Sequence, residues 1–137
     1  MNVQIVAQMK SSYFYWLLLA LLTAGCQKDA AVQVDLSAPV IDIVEPLQGA
    51  EMSPGKEIRI FINIEENQEL HDYSVVIRNA DLTFNKTIAG GHLHARQHQI
   101  DELFLVPETT NQIYTITVKA SDHNDNLGAK QIELFVP

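Results

Sequence analysis

One cysteine, Cys26, stands in 137 residues, so the chain has no disulfide framework and no paired-thiol redox chemistry to offer. Tryptophan is as scarce: Trp16 is the only one, and it lies in an N-terminal apolar run. Cations are outnumbered, nine Lys and Arg against seventeen Asp and Glu, for a formal charge of −8. That balance argues against nucleic acid as a partner and against electrostatic docking onto anionic lipid. The patterns that announce common chemistries are missing too: no Gly-x-Ser-x-Gly elbow, no phosphate-cradling Gly-rich loop, no His-Glu-x-x-His pair. The acids that do stand together, Glu65, Glu66 and Glu69, then Asp101 with Glu102, read as solvated charges, because acid and base work needs a cleft that separates their pKa values. The chain is expected not to be an enzyme.

What is present begins with an address. Lys10 is followed by Tyr13-Phe14-Tyr15-Trp16-Leu17-Leu18-Leu19-Ala20-Leu21-Leu22, which ends in the small residues Thr23-Ala24-Gly25. This run is shorter than the ~20 residues a bilayer-spanning helix needs, and a charged start, apolar middle and small-residue end make a signal peptide over 1–25. The alternatives are an uncleaved N-terminal anchor or a buried helix with a neutral cysteine. Thr23-Ala24-Gly25-Cys26 resembles the bacterial lipobox, with Thr23 where that motif usually has Leu. The resemblance implies that the Cys26 thiol is acylated and becomes the mature N-terminus, anchoring the chain in a membrane. Cys26-Gln27-Lys28-Asp29 resembles signals that send lipoproteins to the outer face of an outer membrane, so the expected location is a bacterial cell envelope. Residues 26–38 read as the lipidated cysteine and a flexible tether closed by Pro39, and removal of 1–25 takes the formal charge to −9.

From Pro39 onward apolar residues recur with a period of two. Ile58, Ile60, Ile62 and Ile64 alternate with Arg59, Phe61, Asn63 and Glu65; Tyr73, Val75 and Ile77 repeat the pattern, as do Tyr114, Ile116, Val118 and Ala120, then Ile132, Leu134 and Val136. Turn signals separate the runs: Pro46 with Gly49, Pro54-Gly55, Glu65-Glu66-Asn67, Gly90-Gly91, Pro107, and Asp122 to Gly128. The spacing predicts an all-β, antiparallel sandwich over 39–137 with about seven strands, near 40–44, 57–64, 71–79, 82–88, 97–106, 112–121 and 129–136. Pro39-Val40-Ile41-Asp42-Ile43 with Pro46, Gly49 and Pro54-Gly55, and Tyr114-Thr115-Ile116-Thr117-Val118-Lys119-Ala120-Ser121-Asp122 with Asn126-Leu127-Gly128, resemble the bacterial immunoglobulin-like and cadherin-like domains of cell-surface proteins. A narrower resemblance is to single-domain lipoproteins of unknown function with a His-rich segment after the third strand, here Gly90 to His98.

Two stretches carry candidate chemistry. His92 and His94, two apart on a strand, would project from one face and reach one Zn, Cu or Ni ion. His98 would lie about 13 Å beyond His94 at ~3.3 Å per residue, joining only if the chain turns, so a third ligand is sought among His98, His71 and His123. A solvated polar loop is the plain alternative. Asp122, Asn124, Asn126 and Glu133 occupy the first, third, fifth and twelfth places of a calcium loop, but Leu127 stands where that loop needs Gly, and strands are expected at its flanks. A turn built on Asp and Asn side chains explains the composition more simply. Tyr114 is placed to make the corner hydrogen bond of such sandwiches. Phe61 and Phe135 fall on the polar side of their strands, as an exposed patch or under a cover. The leading expectation is a noncatalytic, lipid-anchored binding or accessory module with a protein partner in the envelope. The alternative is a transition-metal-binding lipoprotein using His92 and His94.

Overall fold

The computed structural model describes residues 35–137; the expected signal peptide, Cys26 and the tether up to residue 34 lie outside them. Seven strands follow one another: β1 Val40–Glu45, β2 Glu57–Glu65, β3 Leu70–Asn79, β4 Asn85–His92, β5 Gln97–Leu105, β6 Gln112–Asp122 and β7 Leu127–Val136, with no helix among the described residues. They form a three-stranded sheet in the order β1-β2-β5 and a four-stranded sheet in the order β4-β3-β6-β7, and every ladder between neighbouring strands is antiparallel. The all-β, antiparallel sandwich expected from the alternation is the fold observed.

The period-two pattern works because each strand turns one face to the other sheet. Ile60, Ile62 and Ile64 of β2 meet Val75 and Ile77 of β3, Ile116 and Val118 of β6, and Leu134 and Val136 of β7 in one core cluster. Each of these aliphatic side chains stabilises the fold by about 1.5–3 kcal/mol relative to exposure. Tyr114 is buried among them and its hydroxyl lies 2.9 Å from Thr109 Oγ1, a corner hydrogen bond made to a side chain. Of the phenylalanines flagged on polar registers, Phe61 is covered by the Arg59 guanidinium, 4.4 Å above its ring, and Phe135 stays exposed.

One element departs from expectation. Gly90-Gly91 is not a turn but lies inside β4, which starts at Asn85 and not at Leu82. The turn before it is consumed by side chains: Phe84 N–H donates to Asn79 Oδ1, Asn79 Nδ2 to Thr83 Oγ1, and Thr83 N–H to Asp81 Oδ1. Gly90 serves close packing instead. A Cβ there would stand 3.2 Å from the Tyr73 carbonyl oxygen, whereas one on Gly91 would make only ordinary contact with the Tyr73 ring at 3.6 Å. The consequence is that β4 continues to His92 and delivers it to the end of the sheet.

That end is where three loops meet. The β2–β3 loop is laced to the β4–β5 loop by Glu66 N–H to Arg96 O, Leu70 N–H to Ala95 O, and Arg96 Nε to Gln68 O. The β6–β7 loop lies beside them, and Asn126 Nδ2 reaches the Asp35 carbonyl oxygen at 3.0 Å. Asp35 falls within the segment expected as tether, yet it is buried on this end of the sandwich.

Candidate metal centre

The histidine cluster is assembled by the ladder and by one irregularity in it. Asp72 of β3 sits directly opposite His92 of β4. On the other side of β3, Leu70 pairs with Asp122 and Asp72 with Ser121, so His71 is the extra residue of a β-bulge. A bulge re-aims side chains, and here Leu70 goes fully into the core while His71 and Asp72 both face the cluster. Leu93 N–H donates to the His71 carbonyl and pins the chain as it leaves β4, which fixes His94 one residue on. His123 arrives from the β6–β7 loop, directly after the buried Asp122.

The four imidazoles pack as a group. Ring centroids of His71 and His92 lie 4.5 Å apart, His71 and His123 4.6 Å, His92 and His94 4.7 Å, and His94 stacks on His123 at 5.0 Å and 16°. Their nitrogens form a chain: Asp72 Oδ1 to His92 Nδ1 at 3.2 Å, His92 Nε2 to His94 Nε2 at 3.1 Å, and His94 Nδ1 to His123 Nε2 at 3.1 Å. A neutral imidazole has one donor and one acceptor nitrogen. If His92 gives its Nδ1 proton to Asp72, its Nε2 must accept from His94, whose Nδ1 must then accept from His123, so one set of tautomers satisfies the whole row. Carboxylates flank it: Asp72 Oδ2 is 3.6 Å from His71 Nδ1, Glu69 Oε1 is 3.7 Å from His94 Nδ1, and Glu69 Oε2 is 3.7 Å from His123 Nε2.

The same distances suit a metal. Two nitrogens bound to one tetrahedral Zn at ~2.0–2.1 Å stand about 3.3 Å apart, close to the 3.1 Å between His94 Nδ1 and His123 Nε2. Two donor groups result, His71 with Asp72 and His92, and Glu69 with His94 and His123, each with its ligand atoms inside 4.8 Å of one another. Each group offers two imidazoles and one carboxylate, which leaves further coordination positions open to water or to another molecule. All six side chains reach solvent, so an ion can enter and leave without unfolding the sandwich.

Of the histidines singled out in the sequence, His92 and His94 come together, but not as two residues of one strand: His92 ends β4 and His94 lies in the loop after it. His98 does not join. It is on β5, opposite Ile64, with its ring against Tyr73 at 4.5 Å, because β5 begins at Gln97 and turns alternate residues toward the core. The third and fourth imidazoles are His71 and His123. Glu69 and Asp72 were not singled out as donors; the short run Glu69-Leu70-His71-Asp72 is the signal that marks them.

The Asp122–Gly128 loop, weighed in the sequence as a calcium loop against a plain Asp/Asn turn, holds an Asp-capped turn. Asp122 Oδ1 accepts from the backbone N–H of Asn124 and of Asn126, both at 2.8 Å, and Oδ2 accepts from Asn126 Nδ2 at 2.7 Å. Asn126 therefore presents its donor, not its carbonyl oxygen, to the acid. Burial pushes the Asp122 carboxyl up, but these hydrogen bonds outweigh it and hold the group below the usual carboxylate range. Glu133 is exposed on β7, opposite Thr115, and takes no part.

No family model matches the sequence, and no curated protein is similar to it. Among solved structures the chain is similar to a superoxide reductase (neelaredoxin) from Ignicoccus hospitalis, at 6% identity and a TM-score of 0.52, over 74% of this chain and 81% of that one. It is also similar to a β-glucosidase from Listeria innocua in complex with gluconolactone, at 9% identity and a TM-score of 0.47, over 72% of this chain and 16% of that one. At such identities the likeness speaks for the fold alone.

Proposed function

We propose that this chain is a transition-metal-binding protein of a bacterial cell envelope, held to a membrane through acylated Cys26, and that it binds Zn, Cu or Ni through His71, His92, His94 and His123 with Glu69 and Asp72. The observation that carries the proposal is convergence. The chain has five histidines, and four of them meet at one end of the sandwich although they come from β3, β4 and two different loops. Solvated histidines have no reason to gather with ring nitrogens at 3.1 Å, whereas imidazole is a donor that all three metals accept.

Of the two roles expected from the sequence, metal handling is favoured over a plain accessory module because it gives this cluster a purpose. The open coordination positions fit an ion that is captured and passed on, with the envelope partner as the molecule that supplies or receives it. The proposed role is binding and delivery, without turnover. Equilibrium dialysis of the full chain against Zn, Cu and Ni, followed by elemental analysis, tests it: retention of one ion per donor group is expected, and no retained metal would contradict it.

A further inference from the structure

A second cluster lies at the same end of the sandwich and contains no histidine. Asp35, Glu66 and Asp122 each place a carboxylate oxygen within 4.8 Å of the others, and the three residues are only 8%, 8% and 1% exposed. Most of their oxygens are bonded. Asp35 Oδ1 accepts from Ser37 N–H and Asn67 Nδ2, Glu66 Oε1 accepts from Asn67 N–H, and both Asp122 oxygens are held by the β6–β7 turn. Asp35 Oδ2 and Glu66 Oε2 are buried with no partner at all. None of the ion pairs among the described residues involves these three acids.

Three carboxylates withdrawn from water, with two oxygens left bare, lack the countercharge that burial of charge requires. Every hydrogen bond that the three carboxylates make is accepted from an N–H group, the role of the ionised form. We infer that the countercharge is a bound hard divalent cation of the calcium class, seated between Asp35, Glu66 and Asp122. The donors are all oxygen, which selects against the metals proposed for the imidazole cluster. Within that class calcium is the better match, because it accepts carboxylates in flexible geometry, whereas magnesium demands a near-ideal octahedron and is reluctant to give up its waters to a buried site. The ion ties three separate pieces together, the segment entering β1, the β2–β3 loop and the end of β6, where the β6–β7 loop begins. Those two loops also carry Glu69 and His123, so the hard-cation site fixes one side of the imidazole cluster. It does not depend on that cluster for its ligands.

The test is calcium binding by the full chain, stripped with chelator, using equilibrium dialysis with CaCl2 and thermal melts with CaCl2 or MgCl2. Wild-type protein is expected to bind one Ca per chain and to melt at higher temperature with Ca than with equal Mg. Glu66→Gln and Asp35→Asn keep shape and remove charge, so each should lose the Ca response while melting higher than wild type in chelator, because repulsion among the acids is relieved. The His92→Ala/His94→Ala variant should keep Ca binding, which separates this site from the transition-metal one. No saturable Ca binding by wild type, or binding that persists in both Glu66→Gln and Asp35→Asn, overturns the inference.

Discussion

His92 and Asp72 face each other across the β3–β4 ladder, with Nδ1 3.2 Å from Oδ1. In the metal-free row that carboxylate accepts the hydrogen bond from Nδ1 and orients the ring, and in the donor group of His71, Asp72 and His92 it stands beside the imidazole as a ligand.

Asp72→Asn preserves the shape and removes the anion, so metal affinity should fall by roughly 10- to 100-fold, the usual cost of losing such a partner. Titration of Zn or Ni against a competing chelator measures it. An unchanged affinity would show that Asp72 neither orients His92 nor contributes a ligand.

Gly128 lies where the chain entering β1 crosses β7. A Cβ there would overlap the Pro39 carbonyl oxygen, which is backbone and cannot swing aside. Gly128→Ala should therefore lift residues 35–39 from β7, at about 1–3 kcal/mol of lost stability, and weaken the anchoring of Asp35. The melting temperature should drop by several degrees; an unaltered melt would mean that this crossing is loosely held.

Arg59 grips Asp101 in bidentate fashion, Nε to Oδ1 at 2.7 Å and Nη2 to Oδ2 at 2.8 Å, and the Arg59 hydrogen bond holds the Asp101 carboxyl below its ordinary range. The sign follows from linkage: the folded-state value is depressed, so the pair's contribution is present above the unfolded carboxyl's pKa and is lost as pH falls through the lower folded one. Arg59→Met should return Asp101 toward the ordinary value in an NMR titration and reduce its part in the acid loss of stability. Both groups are exposed, so neutral-pH stability should change little.

Ile62 is fully buried at the centre of β2. Ile62→Ala should cost about 2–5 kcal/mol through lost transfer energy and a cavity, read by chemical denaturation, while leaving the donors at the sandwich end in place. A loss below 1 kcal/mol would argue that the two sheets do not pack as described.

Much of the fold is legible because a strand buried on one face must alternate, and the runs through Ile60, Ile116 and Leu134 do so without interruption. Gly90-Gly91 misleads because glycine marks both turns and close backbone approach, and only the Tyr73 carbonyl against Gly90 decides between them. The metal centre is half legible. His92 and His94 are near in sequence, but His71 and His123 reach them only through the bulge at Leu70–Asp72 and the β6–β7 turn, which no local spacing encodes. His98 is nearer to His94 along the chain and stays away, because register decides contact where spacing does not. Asp35 and Glu66 are hidden for the same reason: separated along the chain, they meet only when the three loops close.

The measurement to make first is a thermal melt of the chelator-stripped full chain with and without Zn, Cu and Ni, beside the His92→Ala/His94→Ala variant. An ion that binds only the folded state raises the melting temperature; the expected result is a rise of several degrees with at least one transition metal in wild type and none in the variant. Equal melts with every metal, or a rise that survives loss of both imidazoles, would contradict a transition-metal role for this cluster.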